Sequence, residues 1–125
     1  LGNETPEVSV PGEIVYAKEF YDYEAKYFDN KGTKLIIPAP IPEPVVERIQ
    51  EVAIKAYKTL NCSIFARADF FYDEVNDKIY INELNTIPGF THGSMYPKLW
   101  EAAGISYTKL VNRLLELAIE RHSNK

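Results

Sequence analysis

The chain has 125 residues, 46% of them hydrophobic and 26% charged, and a formal net charge of −4 at pH 7. A chain of this size and composition buries one hydrophobic core, which excludes an intrinsically disordered protein. The net negative charge gives no broad electrostatic footprint for nucleic acid or for an anionic membrane, so recognition of phosphate must be local. Neither nucleic acid nor a membrane is therefore an expected partner.

The single cysteine, Cys62, excludes an intrachain disulfide, and cysteine and histidine together are too few for a structural zinc site. No apolar run approaches the ~20 residues that span a bilayer, and no basic stretch followed by an apolar one marks a signal peptide. These features favour a cytoplasmic protein. Leu1, rather than Met, opens a segment that reads as the end of a strand, so we expect the chain to be cut from a larger protein.

Two strands are predicted in the first third of the chain, at residues 12–19 and 34–39. Residues 20–32 between them mix aromatic and charged side chains over a length that a hairpin connection does not need, which predicts a lid or binding loop. An aromatic cluster that covers the edge of the core would give the same pattern.

Three helices are predicted from apolar residues at helical spacing. The first follows the proline-rich residues 40–44, and its buried face is expected to contain Val45, Val46, Ile49, Val52, Ala53, Ala56, Tyr57 and Leu60. A short second helix at residues 97–103 stops at Gly104 and contributes Trp100 to the core. The third has Ser106 as its N-cap, and its buried stripe is Leu110, Val111, Leu114, Leu115, Leu117 and Ala118.

A β-hairpin is predicted between the first and second helices, because residues 65–72 and 78–83 are rich in β-branched and aromatic side chains and flank a turn. Side chains alternate with period two, so each strand presents one polar face: Arg67, Asp69 and Phe71 on the first strand, and Ile81, Glu83 and Asn85 on the second. A loop centred on Asn76 places Asp69 opposite Glu83 and Arg67 opposite Asn85.

This face predicts a magnesium site. Two carboxylates and one amide oxygen form a hard, all-oxygen ligand set, of the kind that binds Mg²⁺ while phosphate or water supplies the remaining ligands. An ion-pair network on a solvated hairpin face would produce the same cluster, and the spacing alone does not distinguish the two. The order of elements predicts the α+β class, with a mainly antiparallel sheet covered by helices on one side.

Four segments carry a resemblance to a known family: YDYEAKY at residues 21–27, RAD at 67–69, ELNTIPGFT at 83–91 and SMYP at 94–97. Together, in this order and spacing, the chain closely resembles the C-terminal part of bacterial D-alanine–D-alanine ligases of the ATP-grasp superfamily. The resemblance covers nearly the whole chain. It implies that residues 1–125 are the C-terminal part of an ATP-grasp ligase domain.

The resemblance also implies a reaction. ATP phosphorylates the carboxylate of one D-alanine, the amine of a second D-alanine attacks the acyl phosphate, and the dipeptide is released for peptidoglycan synthesis in the cell wall. Such a transfer depends on positioning and on neutralisation of charge. ATP and Mg²⁺, or Mn²⁺ in its place, are the implied cofactors, and two D-alanine molecules are the substrates.

Site residues follow from the resemblance one by one. Asp69, Glu83 and Asn85 match the metal ligands. Arg67 matches the arginine that stabilises the transferred phosphate and the oxyanion, and Gly89 the glycine whose N–H assists it, although a glycine after Pro88 is also a common turn residue.

The remaining matches concern substrate and nucleotide. Lys26 matches a catalytic lysine that reaches both phosphate and the carboxylate of the second substrate. Ser94 matches the hydroxyl that binds that carboxylate, with Met95 lining the same pocket. Tyr27 matches a tyrosine of D-alanine-selective members, which favours D-alanine over D-lactate or D-serine as the second substrate. Phe20 and Phe71, with Lys26, match the nucleotide-binding residues, although a lone Phe on a strand is also a common core residue.

The N-terminal domain of the family and the first part of its ATP-grasp domain have no counterpart in these residues. We therefore expect the complete enzyme, a homodimer by the resemblance, to require that missing part, and the isolated chain to be inactive. Two alternatives stay open. One is a D-Ala-D-Ser ligase, a D-Ala-D-Lac ligase or another ATP-grasp carboxylate–amine ligase, and the other is a non-catalytic fragment that pairs or swaps through an exposed sheet edge.

Overall fold

The computed structural model describes residues 1–16 and 33–125. The predicted lid at residues 20–32 lies outside the described residues, as do three of the predicted site residues, Phe20, Lys26 and Tyr27. Among the described residues, no helix is long and apolar enough to cross a membrane.

The described residues form four strands and three helices. In chain order these are β1 (Glu13–Tyr16), β2 (Thr33–Ile36), α1 (Glu43–Thr59), β3 (Arg67–Asp73), β4 (Lys78–Asn85), α2 (Met95–Ala102) and α3 (Tyr107–Ser123). The α+β class is confirmed, and both strand pairs are antiparallel. Within the described part of the chain, they form two separate two-stranded sheets, β1–β2 and β3–β4, rather than one sheet.

β2 ends three residues earlier than predicted. β2 ends at Ile36, two residues before Pro38, whose missing N–H cannot continue a ladder. The prediction for β1 continued to residue 19, which lies outside the described residues. Gly12 precedes β1 and packs tightly, since a Cβ there would lie 2.9 Å from atoms of Met95 and of Leu99.

Helix α1 buries one face against the rest of the protein. Its buried residues, Val45, Ile49, Ala53 and Tyr57, recur every four positions. The Tyr57 hydroxyl donates to the Gly2 carbonyl at 2.7 Å, and burial raises the pKa of Tyr57 to about 12. Leu60 was predicted on this face, but it follows the last helical residue and is 64% exposed.

A second part of the core lies between α2 and α3, and Trp100 belongs to it, as predicted. The buried members are Leu1, Tyr96, Trp100, Leu110 and Leu117. The prediction for Leu115 and Ala118 is wrong, because both are exposed and Leu115 retains 61% of its accessible surface. At 3.6 residues per turn, Leu115 lies about 140° around the helix from Leu110, on the opposite side from the core.

The ends of α2 and α3 follow the predicted signals. α2 starts two residues earlier than predicted, at Met95, and ends before Gly104, whose φ of +99° suits glycine. Ser106 caps α3, because its hydroxyl accepts the Lys109 N–H at 3.3 Å.

Asn3 connects Ile64, which precedes β3, to helix α3 through side-chain hydrogen bonds. Its Oδ1 accepts the Ile64 N–H at 3.0 Å, and its Nδ2 donates to the Leu117 carbonyl and to a Glu120 carboxylate oxygen, each at 3.0 Å. Ile64 has a φ of +66°, which is unfavourable for a β-branched residue. The hydrogen bonds at Asn3 and Gly2 hold this backbone conformation in place immediately ahead of the site.

The contacts at Gly12 lead to a stability prediction. Gly12→Ala should lower the free energy of unfolding by about 1–3 kcal/mol, since the added methyl would overpack three buried or half-buried side chains. Its Cβ would lie 2.9 Å from Leu99 Cδ2, 2.9 Å from Met95 Cε and 3.0 Å from Ile37 Cγ1. Gly93→Ala is the matched control, because the nearest atom there, Thr91 Oγ1, is 4.0 Å away. Urea unfolding measures both, and equal losses would contradict the prediction.

Candidate active site

The β3–β4 hairpin places the predicted polar residues in register. Arg67 lies opposite Asn85, and Asp69 lies opposite Glu83. Because paired residues of antiparallel strands point to the same side of a sheet, these four side chains share one face. The predicted pairing at the site is confirmed, but the predicted centre of the loop at Asn76 is wrong, because Asp73 pairs with Lys78 and the loop is centred between Val75 and Asn76.

This register depends on a β-bulge that the sequence analysis did not predict. From the turn outwards, Asp73 pairs with Lys78 and Phe70 with Ile81, and the next pair is Asp69 with Glu83. One residue, Asn82, is therefore left without a partner on β3. Without the bulge, Asp69 would lie opposite Asn82, and Glu83 would point to the other face.

The bulge also corrects the predicted face of β4. Ile81 was placed on the face of Glu83, but it pairs with Phe70 and therefore points to the other side. Tyr80 pairs with Phe71 and takes that place on the polar face. Phe71 is 63% exposed and Tyr80 51% exposed, so neither ring is a core residue.

The turn that closes the hairpin is held by its own side chains. Asp73 Oδ1 accepts the Asn76 N–H at 3.2 Å, and its Oδ2 accepts the Asn76 side-chain amide at 2.7 Å. These hydrogen bonds lower the pKa of Asp73. Asp77 Oδ1 accepts from Arg48 of α1 at 2.5 Å and from the Tyr72 hydroxyl at 3.1 Å, so the turn is also joined to α1.

Arg67 and Asp69 form a two-point ion pair, from Arg67 Nε to Asp69 Oδ1 at 2.8 Å and from NH2 to Oδ2 at 2.9 Å. The hydrogen bond to Asp69 is the main cause of a raised Arg67 pKa, and the charge of Glu83 adds to it. Glu83 itself is exposed and has no hydrogen bond or ion pair with another residue that the structure describes. One guanidinium beside two carboxylates leaves a local charge of −1.

Asn85 joins the hairpin to the loop that follows. Its Oδ1 accepts the Ile87 N–H at 3.0 Å, the pattern of an Asx turn. An amide oxygen has two lone pairs, so this bond leaves one acceptor position for a further ligand. The bond also fixes the direction in which residues 86–94 leave β4.

That loop brings Gly89 and Ser94 together. A Cβ on Gly89 would lie 3.2 Å from Ser94 Oγ, so the missing side chain gives Ser94 its space. Gly89 does not adopt a left-handed φ, so its backbone conformation does not itself require glycine. Ser94 Oγ accepts the Thr91 N–H at 3.0 Å and lies 2.8 Å from Thr91 Oγ1.

Helix α3 holds the same loop through Tyr107. Its hydroxyl donates to the Phe90 carbonyl at 2.9 Å, and its ring stacks on His92 with centroids 4.2 Å apart. Thr91 and Tyr107 were not predicted as functional residues from the sequence. A hydroxyl three residues before Ser94 was a visible signal for Thr91, whereas the contact of Tyr107 joins separate elements and has no local signal.

The described site residues thus fall into two groups, and the members of each group lie close together. The hairpin group is Arg67, Asp69, Phe71, Glu83 and Asn85, and the loop group is Gly89, Ser94 and Met95. Met95 is partly buried, and its terminal methyl packs against Gly12. No cluster of three His, Cys, Asp or Glu side chains suited to a metal occurs in residues 1–16 and 33–125. The predicted ligand set has two carboxylates and an amide, so it does not depend on such a cluster.

Comparison with known protein families identifies the family of the chain. The family model described as "D-ala D-ala ligase C-terminus" matches residues 1–116. The chain belongs to this family.

Individual relatives agree with this assignment. A D-alanine–D-alanine ligase of Thermoanaerobacter sp. is 54% identical over all 125 residues, which cover 35% of that protein. The solved D-alanine–D-alanine ligase of Coxiella burnetii matches with a TM-score of 0.81 and 41% identity, over 99% of this chain and 31% of that one.

Two further solved structures are a D-Ala:D-Ser ligase and a ligase complexed with ATP. The VanG D-Ala:D-Ser ligase of Enterococcus faecalis matches with a TM-score of 0.79 and 38% identity, over 94% of this chain and 34% of that one. The D-alanine–D-alanine ligase of Bacillus anthracis complexed with ATP matches with a TM-score of 0.76 and 29% identity, over 93% and 35%. The chain spans about a third of the length of these relatives.

The bulge leads to a prediction about register. Deleting Asn82 should keep Asp69 opposite Glu83, because the ladder that starts at Asp73 and Lys78 then continues without interruption to that pair. Deleting Phe70 from β3 should instead carry Asp69 to the other face. Crystal structures of the two variants measure the pairing, and an Asp69 that lies opposite any residue other than Glu83 after the Asn82 deletion would refute the account.

Proposed function

We propose that residues 1–125 are the C-terminal part of the ATP-grasp domain of an ATP-dependent D-alanine–D-alanine ligase. The observation that carries the proposal is the pairing of Asp69 with Glu83 beside Arg67 and Asn85, in a chain that belongs to the ligase C-terminal family. The complex of the Bacillus anthracis relative with ATP supports ATP as a substrate.

The hairpin face fits a divalent cation. The two carboxylates lie in one cross-strand pair, Asn85 is two residues from Glu83 on the same strand, and the local charge of −1 accommodates added positive charge. Hard oxygen donors of this kind suit Mg²⁺, with Mn²⁺ as a substitute. Asp69, Glu83 and Asn85 would hold the ion, which supplies neutralisation of phosphate charge when bound.

Arg67 is the phosphate-binding partner in this proposal. It engages Asp69 through two parallel hydrogen bonds. Carboxylate and phosphate oxygens accept these two parallel hydrogen bonds in the same way, so a bound phosphate can replace Asp69 as the partner of Arg67 once the guanidinium turns towards it. Arg67 remains charged throughout, because its pKa is raised further by Asp69 and Glu83.

The loop group provides a site for the carboxylate of the second substrate. Ser94 supplies a hydroxyl, and the N–H groups of Met95 and Tyr96 open helix α2 without a backbone acceptor among the described residues. Unpaired N–H groups at a helix N-terminus favour an anionic ligand. Gly89 lies beside Ser94, and we assign its N–H to the oxyanion of the tetrahedral intermediate.

The proposed reaction has two steps. The γ-phosphoryl group of ATP passes to a carboxylate oxygen of the first D-alanine, and ADP leaves with the electron pair of the broken P–O bond. The amine of the second D-alanine then attacks the carbonyl carbon, phosphate leaves with the electron pair of the C–O bond, and the amine loses a proton. Arg67 neutralises charge in both steps, and Ser94 orients the attacking molecule. Lys26, Tyr27 and Phe20 keep the roles assigned by resemblance.

A D-Ala:D-Ser ligase is the second candidate, and its support is the match to the VanG structure at 38% identity. The two candidates differ in the nucleophile that the acceptor site selects. In the complete enzyme near neutral pH, we expect a higher kcat/KM for D-alanine as the second substrate than for D-serine or D-lactate. The opposite order would favour the second candidate.

The metal assignment leads to a mutational prediction. In the complete enzyme, Asp69→Asn and Glu83→Gln should each lower Mg²⁺-dependent kcat/KM by roughly 100-fold or more, because each removes charge from the face that holds the cation. Stability should change by about 1 kcal/mol or less, since both side chains are partly or fully exposed.

Glu74→Gln is the matched control for this experiment. It removes the same charge from an exposed position in the turn of the same hairpin, outside the site. Ligase assays at several Mg²⁺ concentrations and thermal melts measure the three variants. The assignment fails if Asp69→Asn and Glu83→Gln are as active as Glu74→Gln.

A further inference from the structure

Ser94 occupies the N-cap position of α2, but its side chain caps nothing. A serine at this position normally accepts the N–H of the second or third helical residue. Here the third residue is Pro97, which has no N–H to donate, and the N–H of the second residue, Tyr96, does not bond to the serine side chain. The hydroxyl is therefore available for another partner, and the first N–H groups of the helix are left without a side-chain acceptor.

That partner is Thr91, which bonds to Ser94 in three ways. The Thr91 N–H donates to Ser94 Oγ at 3.0 Å, the two hydroxyl oxygens lie 2.8 Å apart, and the Ser94 N–H donates to the Thr91 carbonyl at 3.0 Å. The backbone bond fixes the distance between the two residues. The two bonds to Ser94 Oγ fix the rotamer of the serine.

The direction of the hydroxyl–hydroxyl bond decides what Ser94 can do. A serine hydroxyl has one proton to donate and two lone pairs. The Thr91 N–H fills one lone pair. When the Thr91 hydroxyl donates to the other lone pair, both lone pairs of Ser94 Oγ are occupied. The Ser94 hydroxyl proton then points away from Thr91. A carboxylate only accepts hydrogen bonds, so its arrival selects this arrangement.

Thr91 is itself held from both sides. The carbonyl of its neighbour Phe90 accepts from the Tyr107 hydroxyl at 2.9 Å, and the ring of its other neighbour, His92, stacks on Tyr107. Helix α3 thereby fixes the backbone of Thr91. An oriented hydroxyl on a fixed backbone loses little entropy when the ligand binds.

We propose that Thr91 is a positioning residue that directs the Ser94 hydroxyl proton towards the carboxylate of the second substrate. This inference rests on the proposed function, because it requires a carboxylate at Ser94. Thr91 makes no contact with the substrate in this account and acts only through Ser94.

The test uses the complete enzyme and a pair of matched variants. Thr91→Val keeps the shape and the backbone N–H but removes the hydroxyl, and Thr91→Ser keeps the hydroxyl. Thr91→Val should raise the KM for the D-alanine of the second subsite about 5- to 10-fold, which lies within the range for the loss of one hydrogen bond between neutral groups. The kcat and the KM for ATP should change less than about twofold, and Thr91→Ser should restore the KM.

A double-mutant cycle with Ser94→Ala separates this role from a structural one. Ser94→Ala should raise the same KM, and Thr91→Val should add nothing in that background. The inference is overturned if Ser94→Ala raises the KM while Thr91→Val does not, or if the two effects multiply. If Ser94→Ala leaves the KM unchanged, the proposed acceptor site itself is wrong, and the inference falls with it. Thermal melts verify folding, which the exposed position of Thr91 should preserve.

Discussion

The cross-strand pairing of Asp69 with Glu83 is the contact on which the candidate site depends. Two carboxylates on facing strands repel each other, and such a pair is unfavourable unless a cation lies between or beside them. The chain preserves this pair with a bulge at Asn82, although an uninterrupted ladder from the turn would have separated it. Bulges are frequent next to active sites, where they redirect side chains. The irregularity in β4 therefore has a function in this account.

Arg67 stabilises the face when no metal ion or phosphate is bound, and the same side chain is a phosphate ligand in the proposed reaction. Its two hydrogen bonds to Asp69 neutralise that carboxylate, while Glu83 has no hydrogen-bond or ion-pair partner among the described residues. Among the described residues of this face, this division leaves a charge of −1, which attracts a cation over short range. Asn85 then connects the charged face with the loop of residues 86–94 through its bond to the Ile87 N–H. The proposed metal ligands and the loop that contains Gly89 and Ser94 are thus adjacent at the end of β4.

Local patterns predicted those features that local chemistry determines. The turn at 73–77, the stop at Gly104 and the cap at Ser106 each depend on residues close in sequence, and each is confirmed. The bulge at Asn82 was missed, because alternation predicts faces only for an uninterrupted ladder. The interaction of Tyr107 with the loop of residues 86–94 was missed as well, because it depends on packing between distant elements. The residue roles came from the family resemblance, and the spacing alone left the metal site and an ion-pair network equally open.

The most direct test of the central claim is the position of a bound metal ion. Crystals of the complete ligase grown with Mn²⁺ and a non-hydrolysable ATP analogue would locate it by anomalous scattering. The account predicts an ion at roughly 2.1 Å from side-chain oxygens of Asp69, Glu83 and Asn85, with Arg67 turned towards phosphate. An ion held elsewhere, with Asp69 still paired to Arg67 and Glu83 free of metal, would contradict it.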